Sequence, residues 1–192
     1  MPVPDIDVRV MTASANSPAV LPAGQLDRLL HLLRADGYDV VGPHARDGAI
    51  VLAPLLNAAQ LPRGWTTAQD AGSYRLRRRE DAALFGFTHG ADSWKKLLHP
   101  ARVRLWAAER QGAGFVVHEP PPPEAKLALF GVRACDLRAI EAQDRVLLQG
   151  PYPDAEYEAR RRGSFIVTVD CAEPSGTCFC VSMGGGPAAK AG

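Results

Sequence analysis

Cysteine is absent from the first 134 residues of this 192-residue chain; its four thiols, Cys135, Cys171, Cys178 and Cys180, all fall in the last third. A disulfide framework spread through the fold is thereby excluded. The N-terminus, Met1-Pro2-Val3-Pro4-Asp5-Ile6-Asp7, lacks the basic and apolar regions of a secretory leader. The longest apolar stretch, Ala49–Leu56, falls far short of the roughly 20 residues that cross a bilayer. These absences predict a cytoplasmic protein without membrane insertion, in a reducing compartment where structural disulfides are rare. Charge of one sign is missing too: 22 basic residues against 21 acidic ones give a formal net charge of +1, so no global field selects nucleic acid or an anionic membrane as partner. The chain contains no phosphate-cradling G-x-x-x-x-G-K, no dinucleotide G-x-G-x-x-G and no Ser/His/Asp arrangement, and Gly184-Gly185-Gly186 lacks the strand before it and helix after it that such a loop needs. No catalytic residue is assigned.

What remains is enough for one packed core, since a chain of this length buries roughly 70% of its unfolded surface and 46% of its residues are hydrophobic. Residues 1–21 are rich in Pro, Ser, Ala and Asn and read as an N-terminal arm. Leu26, Leu29, Leu30 and Leu33 then mark one face of a helix that stops at Gly37. His31 on that helix gets no role, because a lone histidine there is most often a surface group. Tyr38–Val41 and Ala49–Ala53 predict two strands joined through Gly42-Pro43 and Asp47-Gly48 as a hairpin. Tyr74–Arg79 carries four arginines in five positions; this pattern fits an edge strand whose charges discourage aggregation better than an anion site. A helix near Ser93–Leu98 ends before Pro100, with Lys95 and Lys96 outward. Residues 102–110 fit helix and strand equally, and Phe115–Val117 reads as a strand. Pro120–Pro123 must be extended and reads as a stiff connector. The expected organisation is an α+β lobe over 22–119, a connector over 120–124 and a second lobe over 125–192.

The second lobe carries the chemistry. Lys126–Val132 is a buried-strand run, Leu137, Ile140, Leu147 and Leu148 mark the inner face of a following helix, and Ser164–Asp170 reads as another strand, with a short helix over Ala155–Arg162 between them. This is a βαβ unit in an α/β fold, a mixed sheet with flanking helices. A right-handed crossover puts the carboxyl ends of its parallel strands on one rim, where such sheets hold ligands. Cys135 and Cys171 follow those ends, and Glu173-Pro174-Ser175-Gly176 turns the chain so that Cys178 and Cys180 return toward them. In an extended segment, positions i and i+2 face the same way. The helix N-terminus is expected to favour the Cys135 thiolate and lower its pKa. Four thiols so gathered read as metal ligands. Spacing alone puts iron–sulfur only modestly ahead of zinc, because neither paired C-x-x-C arms nor a ferredoxin run is present.

Gly131-Val132-Arg133-Ala134-Cys135-Asp136-Leu137-Arg138-Ala139-Ile140, with the stretch from Asp170-Cys171-Ala172-Glu173-Pro174 through Thr177-Cys178-Phe179-Cys180 to Gly184, resembles the paired signatures of the iron–sulfur β subunits of sulfhydrogenases and of the corresponding subunits of anaerobic sulfite reductases. Gly72–Leu76 and Ser93–Lys96 are similar to weaker blocks of that family. The resemblance implies that Cys135, Cys171, Cys178 and Cys180 hold a [4Fe-4S] cluster. It further implies an electron-transfer role in an oxidoreductase complex, between a hydrogenase or sulfur/sulfite reductase partner and a flavin-containing NAD(P)H-oxidising subunit, with flavin on that partner. Members of the family continue into a ferredoxin-like domain with two further clusters. This chain has no cysteines for them, so the expectation is an N-terminal cluster-binding part or a short relative. The alternatives are a zinc-stabilised protein-interaction module whose Arg75–Arg79 strand meets an acidic partner, and a thiol-redox enzyme using Cys178 and Cys180.

Overall fold

The leucine stripe forms α1 over Leu26–Ala35, burying Leu30 and Leu33. Gly37 ends it at φ 84°, a left-handed value that a glycine adopts without strain. In this computed structural model the described residues are 20–121, 123 and 126–189. The expected N-terminal arm lies almost wholly outside them, as do residues 122 and 124 of the expected connector.

β1 (Tyr38–Arg46) and β2 (Ala49–Pro54) pair antiparallel around Asp47 and Gly48, both at positive φ, the two-residue hairpin turn that matches strand twist. β1 runs straight through Gly42-Pro43, where a break was expected. Its pairing with the strand on its other side stops at Val41, so the missing Pro43 N–H costs no ladder bond on that edge. β3 (Trp65–Asp70) and β4 (Ser73–Arg78) form a separate two-stranded ribbon. After the short α2 (Lys95–Leu98) comes a second ribbon, β5 (Ala107–Gln111) and β6 (Gly114–His118). β7 (Lys126–Val132), α3 (Ala134–Leu147), α4 (Ala155–Arg162) and β8 (Phe165–Thr168) complete the chain.

The main sheet has the order β2-β1-β7-β8; β7 lies parallel to both neighbours and β2 antiparallel to β1. It is the expected mixed sheet, with strands from both sides of the proline run. Both faces are buried. Val40, Ala128 and Phe130 pack with Leu30 and Leu33 of α1 on one face, while Val41, Leu129 and Val132 pack with Leu98, Ile140 and Tyr157 on the other. Helices therefore flank the sheet on both sides.

Strand alternation would place Phe130 and Val132 on the same face. They sit on opposite faces, because a bulge at Gly131, φ 96°, adds one residue to β7 between the pairs Phe130↔Val167 and Val132↔Thr168. The end of β7 is thereby rotated before the chain enters α3.

Candidate metal centre

β7 and β8 deliver the first two thiols to one rim. Val132 and Thr168 are register partners; Cys135 stands three residues beyond the first and Cys171 three beyond the second. Val169 N–H still donates to the Val132 carbonyl at 2.8 Å, so the strands leave the sheet together. Cys135 is the second residue of α3, whose N-cap is Arg133. The Arg133 N–H donates to the Asp136 carboxylate at 3.0 Å, closing the first turn. Its guanidinium, 2% exposed, anchors the turn from below: Nη2 donates to the carbonyls of Phe85 (2.8 Å) and Phe87. Phe85 holds a left-handed φ of 61°, and its ring lies 3.1 Å from where a Cβ on Gly131 would stand.

The turn after Cys180 is tied to α3. The carbonyl of Cys180 accepts from Gly185 N–H at 2.8 Å, and Arg138, one turn along α3 from Cys135, donates to the Gly184 carbonyl. Cys171 and Cys178 bond within the loop itself. The Cys171 thiol donates to the Glu173 carbonyl at 3.6 Å, and Cys178 Sγ accepts from Ser175 N–H at 3.2 Å. Residues 178 and 179, expected in an extended run, belong to no strand and lie between turns over 176–177 and 180–184. None of the four cysteines is in a disulfide; Cys135 and Cys178 are exposed, Cys171 and Cys180 half-buried. Among the described residues no three His, Cys, Asp or Glu side chains are gathered around a position for a single metal ion.

The pKa expectation for Cys135 is overturned. Burial raises it first and the charge of Asp136 next, partly offset by lowering from backbone N–H groups. The thiol has open surface, yet the packed first turn strips part of its hydration, and the Asp136 charge disfavours the thiolate further. A thiol held protonated by negative neighbours is one that a cation releases.

Sequence reasoning missed two features of this rim. His89, close behind Asp136 (Nε2 to Oδ2, 3.5 Å), has its pKa lowered chiefly by burial. The arginine strand divides its labour: Arg78 stacks on Trp65 at 3.8 Å, whereas Arg79 reaches the thiol loop and pairs with Glu173. Thr66 Oγ1 donates to the same carboxylate at 2.9 Å. Arg75 and Arg77 line a polar groove of about 350 Å³ with Pro174, Ser175 and Gly176. Of this strand's arginines, Arg79 finds its acidic partner within the chain, 94 positions away. Lys96, expected to face outward, donates to the Leu52 carbonyl and to Asp92.

A stretch of 61 residues is 46% identical to sulfhydrogenase 2 subunit beta of Pyrococcus furiosus. The match covers 32% of this chain and 18% of that protein. No family model and no solved structure matches the chain. Among the described residues no helix is long and apolar enough to cross a membrane.

The donor chemistry is of the kind a cluster takes: four thiols outside any disulfide, two of them following the ends of adjacent parallel strands.

Proposed function

We propose that this chain is an electron-transfer part of an oxidoreductase complex, with Cys135, Cys171, Cys178 and Cys180 as the thiolate ligands of one [4Fe-4S] cluster. The observation that carries the proposal is the parallel pairing of β7 and β8, which sends Cys135 and Cys171 off equivalent positions of one sheet edge. The Arg138 tie to the Gly184 carbonyl, which holds the turn after Cys180 to the helix that carries Cys135, supports it. The partial identity to a sulfhydrogenase β subunit supports an oxidoreductase setting.

Such a group supplies one-electron transfer without bond making. The chain's own residues hold and shape its place. Arg133 fixes the start of α3, Gly185 N–H and Arg138 hold the turn after Cys180, and Ser175 holds Cys178. In this reading the chain works in the cytoplasm. Electrons pass between a hydrogenase, or a sulfur or sulfite reductase, on one side and a flavin-containing, NAD(P)H-oxidising subunit on the other.

The test is chemical. Protein purified without oxygen should be brown, contain about four irons and four acid-labile sulfides per chain, and give an electron paramagnetic resonance signal on reduction. Each single Cys→Ser change at the four positions should lower iron content. A colourless, zinc-replete protein would instead support the zinc-stabilised module. Metal content indifferent to Cys178→Ser and Cys180→Ser would support the thiol-redox reading.

A further inference from the structure

We infer that Glu173 is a positioning residue, the catch of a latch that seats the three-thiol loop on the β3–β4 ribbon before any metal is bound. The inference rests on the cluster reading for its purpose, though not for its geometry. Glu173 lies between Cys171 and Cys178 in sequence, and its two carboxylate oxygens are separately engaged. Oε1 pairs with Arg79 Nη1, and Oε2 accepts from Thr66 Oγ1 at 2.9 Å. Arg79 is itself held: its Nε and Nη2 grip Asp81 at 2.6 and 2.8 Å, and Gly86 passes so close that a Cβ there would lie 3.1 Å from Nη1.

The guanidinium therefore sits in a fixed slot, with one face given to Asp81 and one nitrogen presented to the loop. An isolated surface ion pair positions little. This one is different in kind: Arg79 is 20% exposed, bound as a fork on one side, and backed by a hydroxyl aimed at the same carboxylate. The loop backbone closes on the ribbon beside it, where a Cβ on Gly176 would stand 3.3 Å from the Gln69 carbonyl. The other loop ties lie beyond Cys180, at Gly184 and Ala189, or at the loop's first residue, where Cys171 N–H donates to Pro187. Among the described residues Glu173 is accordingly the side-chain anchor that ties the loop to the ribbon ahead of Cys178. Every partner in the latch is a residue of this chain, so the ribbon orders the ligands in advance and the ordering cost is met during folding.

The experiment is amide hydrogen exchange on the full chain, prepared free of metal and kept reduced. Glu173→Gln and Arg79→Met should each speed exchange across residues 171–180 by roughly three- to tenfold, leaving β7 and α3 at wild-type rates. The double variant should be no faster than either single one, because both remove the same contact. Thr66→Val should act in the same direction and Thr66→Ser should restore the wild-type rate, a rescue that a merely space-filling role would not give. If Glu173→Gln does not fold, the Thr66 pair carries the test alone. Exchange in residues 171–180 at the wild-type rate in Glu173→Gln, or in Thr66→Val, overturns the latch. A second arm measures iron and sulfide uptake by anaerobic reconstitution. Faster exchange in the variants together with no uptake by the wild type leaves the latch standing and sinks the cluster reading; uptake by the wild type with unchanged exchange does the reverse.

Discussion

Gly131→Ala should damage this protein out of proportion to its size. Two costs add. At φ 96° an L-residue is strained, which amounts to about 1–3 kcal/mol. The new Cβ would also stand 3.1 Å from Phe85 Cε1 and 3.4 Å from Pro43 Cδ. Phe85 cannot swing away freely: its ring packs against Phe87 and Phe130 at centroid distances of 6.2 and 6.3 Å, and its carbonyl is bound by buried Arg133. Forcing extra volume into such a site costs about 1–3 kcal/mol. A total near 3 kcal/mol lowers Tm by about 6–12 °C in a domain of this size. Gly37→Ala is the internal control, because Gly37 has a similar φ of 84° but nothing within 4 Å of a Cβ. It should cost only the backbone part, about 1 kcal/mol. Thermal unfolding of the reduced protein, followed by far-ultraviolet circular dichroism, separates the two. A Gly131→Ala variant no less stable than Gly37→Ala would refute the claim that the bulge is a packed, specified device that aims the end of β7.

Tyr157→Phe removes a 2.6 Å hydrogen bond from a buried phenol to Asp144, which keeps its Arg161 partner; the expected loss is about 1–2 kcal/mol in a urea titration. Burial, then Asp144, pushes the Tyr157 pKa well above its ordinary value. The unfolded phenol ionises near pH 10 while the folded one stays protonated, so this stability is complete below about pH 10 and falls as pH rises further. The Phe variant should show a shallower alkaline decline. At the acid end, the Arg79 fork holds Asp81 down to about 2. Its contribution is present above the ordinary carboxylate range and lost as pH falls through about 2, and Asp81→Asn should flatten that limb of a pH-dependent melting series.

Much of this fold could be read from the order of residues. The α1 leucine stripe, the apolar β7 run and the strand–helix–strand spacing each show their period because one or two faces are buried. Residues 102–110 fitted helix and strand equally for the opposite reason: β5 is exposed from Ala108 through Gln111, so no buried face imposes an alternation on its sequence. Gly131 was invisible as a bulge, since a glycine in an apolar run looks like any other strand residue until a register partner is known. The direction of the Cys135 pKa failed because its largest cause, burial, comes from tertiary packing that a helix-terminus cue does not show, and the adjacent Asp136 charge adds to it. The Arg79–Glu173 pair lies beyond any local reading.

The thiol loop lacks regular secondary structure, so its geometry must come from where it is tied. A single anchor would leave Cys178 and Cys180 free to pivot about it. Here Glu173 fixes the loop to the β3–β4 ribbon ahead of both residues, and the Gly184 carbonyl fixes it to Arg138 of α3 behind them. Two anchors on different elements define the span between them, and the second belongs to the helix that carries Cys135. Any displacement of α3 therefore moves Cys135 and the far end of the loop together, while the ribbon holds the near end. The rim stays one unit only while both ties hold, which is why loosening at Glu173 should reach Cys178 and leave Cys135 untouched.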